Sequence, residues 1–150
     1  MALQDPHITV ACVVERDGQY LIVEERDKSS GNMVLNQPAG HVEAGETLMQ
    51  AAVRETREET AWEVALIGVI GVSLYVPDSS GASYFRTTFA ATGLHELPDA
   101  ELDPDIYKVH WLDHTTLQRS SARMRSPLVL ASIERHRQGH CYPLDILYPQ

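Results

Sequence analysis

The chain has 150 residues, 43% of them hydrophobic and 22% charged, with a formal net charge of −9. That length supports a single domain, 1–150, with its own hydrophobic core, and the composition is that of a globular protein, not a disordered chain. The acidic balance argues against non-specific contact with nucleic acid or anionic membrane, since both need a basic surface.

Two cysteines, Cys12 and Cys141, make neither a CxxC pair nor a disulfide framework. Cys12 lies inside the apolar run ITVACVV and is expected to be a buried thiol. The N-terminal MALQDPHITV has no basic segment followed by an apolar one, so no signal peptide is expected. The longest apolar run, ALIGVIGV (65–72), is far shorter than the ~20 residues of a membrane span. A cytoplasmic, reducing setting without membrane contact is expected. No coiled-coil heptad or interface stripe appears, and the expected state is a monomer or small homo-oligomer.

In chain order, ITVACVV (8–14) and QYLIV (19–23) predict two strands joined at Asp17-Gly18, a strong hairpin signal. MVLNQ (33–37) predicts a short strand stopped by Pro38, with a loop through Gly40 and Gly45. Thr47 followed by Gln50 fits a capping box, so a helix should begin near 47 and run to about 59. Strands follow at 62–75 and 83–91, separated by the turn-rich PDSSGA, and YKVHWL (107–112) predicts another. Asp113 is placed to cap a short helix over 114–119, and Pro127 to open a second over 127–138 that ends at Gly139. The tail CYPLDILYPQ is apolar enough to pack. Strands outnumber helices, which gives a mixed α/β or α+β class with a largely antiparallel sheet.

The chemistry concentrates in RETREET (54–60). At 100° per residue, Glu55, Glu58 and Glu59 fall within a sector of about 100° on the predicted helix. Like charges at i,i+4 cost roughly 0.2–0.5 kcal/mol, and exposed carboxylates in the last helical turn roughly 0.3–1 kcal/mol more. Arg54, at i,i+4 from Glu58, relieves part of that. A solvated acidic face is one reading of the triplet; a set of oxygen ligands for a divalent cation is the other.

The context separates them. Gly40, five residues, Glu46, seven residues, Arg54-Glu55, two residues, Glu58-Glu59 is a spacing that resembles the signature of the Nudix hydrolases. LNQPAGH (35–41), RSPLV (125–129), YPL (142–144) and HITVACVV extend the resemblance over nearly the whole chain, toward a bacterial phosphatase branch of that family. The resemblance implies a Nudix α/β/α sandwich with a mixed, largely antiparallel sheet. It implies hydrolysis of phosphoanhydrides with Mg2+ or Mn2+ as cofactor, in nucleoside tri- and diphosphates or in the hydroxymethylpyrimidine diphosphate of thiamine metabolism. Glu55 and Glu59 would be principal metal ligands with the Gly40 carbonyl, and Glu58 either a further ligand or the general base. Arg54 would orient the glutamates or touch substrate, and Glu46 would brace the loop. Two positions depart from the pattern: Thr56 replaces a bulky aliphatic residue, and Ala61 replaces a glycine whose place after the helix favours positive φ.

Substrate contacts are expected from three further residues. Arg86, within SYFRTTFA, either faces outward from its strand or binds phosphate. Arg125 and Ser126 precede a helix start suited to anions, although Ser126 also has the position of an ordinary N-cap. His41 is expected near the metal or exposed in a loop. His136 and His140 have i,i+4 spacing without the accompanying motif of a zinc site. Neither a G-x-S-x-G nor a Walker-type motif occurs, and Trp62 is expected to pack.

Overall fold

A computed structural model describes residues 5–77 and 81–149. The strands are β1 (His7–Arg16), β2 (Gln19–Arg26), β3 (Met33–Asn36), β4 (Ala39–His41), β5 (Trp62–Tyr75), β6 (Tyr84–Glu96) and β7 (Ile106–Asp113). The helices are α1 (Leu48–Thr60), α2 (His114–Arg119) and α3 (Pro127–Arg137). Much of the PDSSGA turn, residues 78–80, lies outside the described residues.

The β1–β2 hairpin closes in two residues, with Asp17 at φ 52° and Gly18 at φ 79°, so both central residues are left-handed as that tight turn demands. The main sheet path runs β3-β2-β1-β6-β5, with β4 also on β1 and β7 also on β2. Among the named strands of the described residues, β1 and β6 pair in parallel and the other ladders are antiparallel. Helices cover both faces. Ala51 and Ala52 of α1 join Val10, Cys12, Val14, Val69 and Phe89 in one core cluster. Ile133 of α3 and Leu117 of α2 join Val13, Ile22, Leu35 and Ile70 in another. These side chains are almost wholly buried, and each large one contributes about 1.5–3 kcal/mol by leaving water. The result is the expected α/β/α sandwich.

Two segments differ from the sequence expectation. Residues 39–41, expected as loop, form β4, because the neighbouring edge of β1 needs partners for its buried backbone groups. Cys12 N–H donates to Pro38 O at 3.0 Å and Val42 N–H to Ile8 O at 3.0 Å, extending that pairing at both ends. β6 continues to Glu96, well past 91, because β5 pairs with it along its whole length and absorbs the mismatch in bulges. The tail packs as expected: Tyr142 and Val69 exchange two backbone hydrogen bonds of 2.8 Å, and Leu144 and Leu147 lie against the α1-side core. Trp62 meets Trp111 edge-on at 5.4 Å, with the Arg16 guanidinium 5.1 Å from both rings.

Candidate active site

The site is built on α1, whose ends are both defined. Gln50 N–H donates to Thr47 Oγ1 at 3.1 Å and Thr47 N–H to Gln50 Oε1 at 3.0 Å, closing the capping box the sequence predicts. At the other end Ala61 takes φ 60° and ψ 22° and donates its N–H to Arg57 O at 2.8 Å. The glycine-like conformation is thus retained by an alanine. Thr56 is fully buried, and its hydroxyl donates to Ala52 O at 2.8 Å, so the polar group at this departure from the pattern is satisfied inside the helix.

The fixed length of α1 carries its acidic face to β4. At Gly40 a Cβ would lie 2.1 Å from Glu55 Cδ and 2.3 Å from each Glu55 oxygen. Glu59, one turn on, is buried, and its Oε2 accepts from Ala39 N–H at 3.0 Å. Burial first, then the neighbouring Glu25, pushes the Glu59 carboxyl well above its usual range; Glu55 and Asp103 add to the push. Burial also raises Glu55, against the lowering by Arg54. Glu58 is half-exposed at the rim. Two raised carboxylates beside further acidic groups form a pocket of oxygen donors with an excess of negative potential, which a divalent cation would relieve.

Arg54 binds this cluster to its loop. Its Nε and Nη2 donate to the two oxygens of Glu46 at 2.6 and 2.9 Å, Nη1 to Glu55 at 2.9 Å and Glu58 at 3.1 Å, and Nη2 also to His41 O at 2.9 Å. Glu46 Oε1 additionally accepts Glu43 N–H at 2.8 Å. Arg54 thereby ties Glu55 and Glu58 of α1 to Glu46 and the His41 carbonyl of the preceding loop. No group of three His, Cys, Asp or Glu side chains among the described residues is already gathered as a metal cage. Glu55 and Glu58 turn toward Arg54, and Glu59 toward Ala39, so an ion would draw them from these partners.

Arg86 faces inward: it is buried, and Nη2 donates to Gln37 Oε1 at 2.6 Å. The outward-facing alternative is thereby corrected. The reason is register, since Arg86 stands opposite the buried Thr9 of β1 and shares its face. Gln37 in turn donates to Val129 O in the first turn of α3 at 2.6 Å. Burial pulls the Arg86 guanidinium down to about 10, and its Nε has no hydrogen-bond acceptor. Arg125, half-exposed, donates Nη1 to Glu25 Oε1 at 2.8 Å. Ser126 caps α3, its Oγ accepting Leu128 N–H at 3.2 Å, so the capping alternative describes its present bonding.

Sequence reasoning missed three neighbours. Glu25 is buried, accepts from Arg125 and from Asn36 Nδ2 at 3.2 Å, and after burial contributes most to raising the Glu59 carboxyl. In sequence it lies in the charged stretch Glu24-Glu25-Arg26 that ends β2, which gives no sign of burial. Asn36 is buried with its Oδ1 unpartnered. Asp103, whose N–H donates to Glu58 O at 2.9 Å, gave no local signal, because only the return of its loop brings it to α1. His41, the last residue of β4, is exposed and bonded to His7, and His136 is bonded to the Tyr20 hydroxyl at 3.4 Å.

The NUDIX domain family matches residues 5–132. Phosphatase NudJ of Escherichia coli K12 and of Shigella boydii are each 38% identical over 95% of this chain and 90% of their own length. A solved NUDIX hydrolase from Nitrosomonas europaea superposes with a TM-score of 0.94 at 38% identity, covering 97% of this chain and 98% of that one. The chain belongs to the NUDIX family and is a Nudix hydrolase.

Proposed function

We propose that this chain is a Mg2+- or Mn2+-dependent phosphohydrolase that cleaves phosphoanhydride bonds of nucleoside tri- and diphosphates by attack of water on phosphorus, releasing phosphate. The supporting observation is the meeting of Gly40, Glu55 and Glu59 at the β4–α1 junction, where burial and neighbouring acidic groups raise two carboxylates that a bound cation would favour in their charged form. The metal ligands in this reading are Glu55, Glu59 and the Gly40 carbonyl, with Glu58 either a further ligand or the general base. A cation held there would neutralise phosphate oxygens and acidify a bound water.

The chain's own residues divide the remaining work. Arg54 fixes Glu55 and Glu58 relative to the loop, through Glu46 on one side and the His41 carbonyl on the other. Glu58, at the exposed rim, is the carboxylate with room to take a proton from water. Arg125 is half-exposed and holds Glu25 through one nitrogen, so its other donors remain for phosphate oxygens. Arg86, with a free Nε deep in the protein, anchors the opposite wall through Gln37. Ser126 contributes through the start of α3. The substrate is a small molecule, the chain works as a single domain, monomeric or in a small homo-oligomer, and the setting is cytoplasmic.

The name of the related phosphatases, NudJ, supports the phosphate-releasing reading, and hydroxymethylpyrimidine diphosphate is a further substrate to test. The test is a panel of nucleoside tri- and diphosphates, hydroxymethylpyrimidine diphosphate and ADP-ribose, with Mg2+ and without added phosphatase. Inorganic phosphate as the first product supports the proposal. AMP with a sugar phosphate from ADP-ribose as the only products would reassign the chain to nucleotide-sugar cleavage, and no turnover would make it a binding module.

A further inference from the structure

Outside the acidic cluster, two histidines meet on the sheet. His7 opens β1 and His41 closes β4, where it pairs with Thr9 two residues along β1. Both side chains therefore leave the same face. His7 Nδ1 and His41 Nε2 are 3.1 Å apart, and the rings meet edge-on at a centroid distance of 5.1 Å and an angle of 74°. Tyr84, opposite His7 in the β1–β6 ladder, stacks on the His7 ring at 5.0 Å and fixes its plane. Both histidines are exposed.

We propose that His7 and His41 form a two-imidazole site for a borderline divalent metal of the Cu2+, Ni2+ or Zn2+ class. At metal–nitrogen distances of about 2.0–2.1 Å, nitrogens separated as these are subtend roughly 100° at the ion, between the square and tetrahedral ideals. In the metal-free pair one imidazole donates to the other; to bind a metal the donor carries its proton on its other ring nitrogen, so that both facing nitrogens present lone pairs. Imidazole suits these ions, whereas Mg2+ keeps to oxygen ligands, so the pair and the carboxylates select different metals. Each ligand projects from a strand, and little ordering is needed on binding. Two protein ligands leave positions for water or an anionic oxygen. The link to the acidic cluster is short, since His41 follows Gly40 and its carbonyl accepts Arg54 Nη2 at 2.9 Å.

The site does not depend on the hydrolase reading, and binding tests it directly. Ni2+ is titrated calorimetrically into the full chain under saturating Mg2+, for wild type, His7→Asn, His41→Asn, and Cys141→Ser as a control for the exposed thiol. The expected result is one Ni2+ per chain in wild type and Cys141→Ser, with binding at least tenfold weaker in each histidine variant. Unchanged binding in the histidine variants, or loss in Cys141→Ser, overturns the proposal. A second readout needs no variant: on adding Zn2+, the imidazole nitrogen resonances of two of the seven histidines should shift. Assignment of those shifts to any pair other than His7 and His41 likewise overturns it.

Discussion

Gly40 and Glu55 occupy one space: a methyl group on Gly40 would lie 2.1 Å from the carboxyl carbon of Glu55. The obstructed atoms are the flexible end of the side chain, so Gly40→Ala should fold, with the Glu55 carboxylate pushed aside. Displacing a ligand by an ångström forfeits the aligned geometry on which such sites depend. Hydrolysis should fall by about 100-fold or more while thermal melting changes little. Wild-type activity in a folded Gly40→Ala protein would remove Glu55 from the site.

Glu59 gives a prediction in pH. Its carboxyl in the folded chain is raised well above the usual value, chiefly by burial and Glu25. The folded state therefore holds a proton that the unfolded state, with a pKa of about 4.3, has released. Metal-free stability should fall as pH rises from that value through the raised one, then level off. Glu59→Gln should flatten this decline and stabilise the metal-free protein at pH 8 by on the order of 1 kcal/mol. The same substitution should abolish stabilisation by Mg2+. Denaturant melts at pH 5 and pH 8, with and without Mg2+, read both effects.

Arg54→Lys keeps the charge and loses the fork. A lysine cannot donate to both Glu46 oxygens while holding Glu55, Glu58 and the His41 carbonyl. The expected loss is about 10–100-fold in kcat, with a smaller change in KM, because the group positions other residues rather than substrate. A change confined to KM would instead place Arg54 against the substrate.

Ala61 tests the departure from the family pattern. At φ 60° a β-branched residue is strained, so Ala61→Val should destabilise by about 1–3 kcal/mol. Ala61→Gly relieves the left-handed cost but removes a buried methyl, and the two effects should leave stability within about 1 kcal/mol of wild type. Urea unfolding of the three proteins gives the ranking.

The legible parts of this fold were those set by local chemistry. Thr47 and Gln50 announced the helix start, Asp17-Gly18 the hairpin and Gly139 the end of α3, because capping and positive φ are short-range demands. The spacing from Gly40 to Glu59 disclosed the candidate site for the same reason: loop and helix are contiguous. β4 was hidden because its existence depends on a partner strand elsewhere in the chain, not on its own residues. Arg86 read ambiguously, since alternation fixes a strand's two faces but not which of them a distant helix will cover. Glu25 and Asp103 reach Glu59 only through the sheet and a returning loop, a separation that no periodicity records.

In the proposed function, hydrolysis is driven by a cation held by Glu55 and Glu59, with Glu58 as a further ligand or the base, and one experiment addresses this most directly. Phosphate release from the best substrate on the nucleotide panel is measured across a Mg2+ titration for wild type, Glu58→Gln and Glu59→Gln, each verified as folded by circular dichroism. Activity should require Mg2+ and fall by about 100-fold or more in both variants. Folded variants that match wild type, or turnover that persists in chelator, would contradict it.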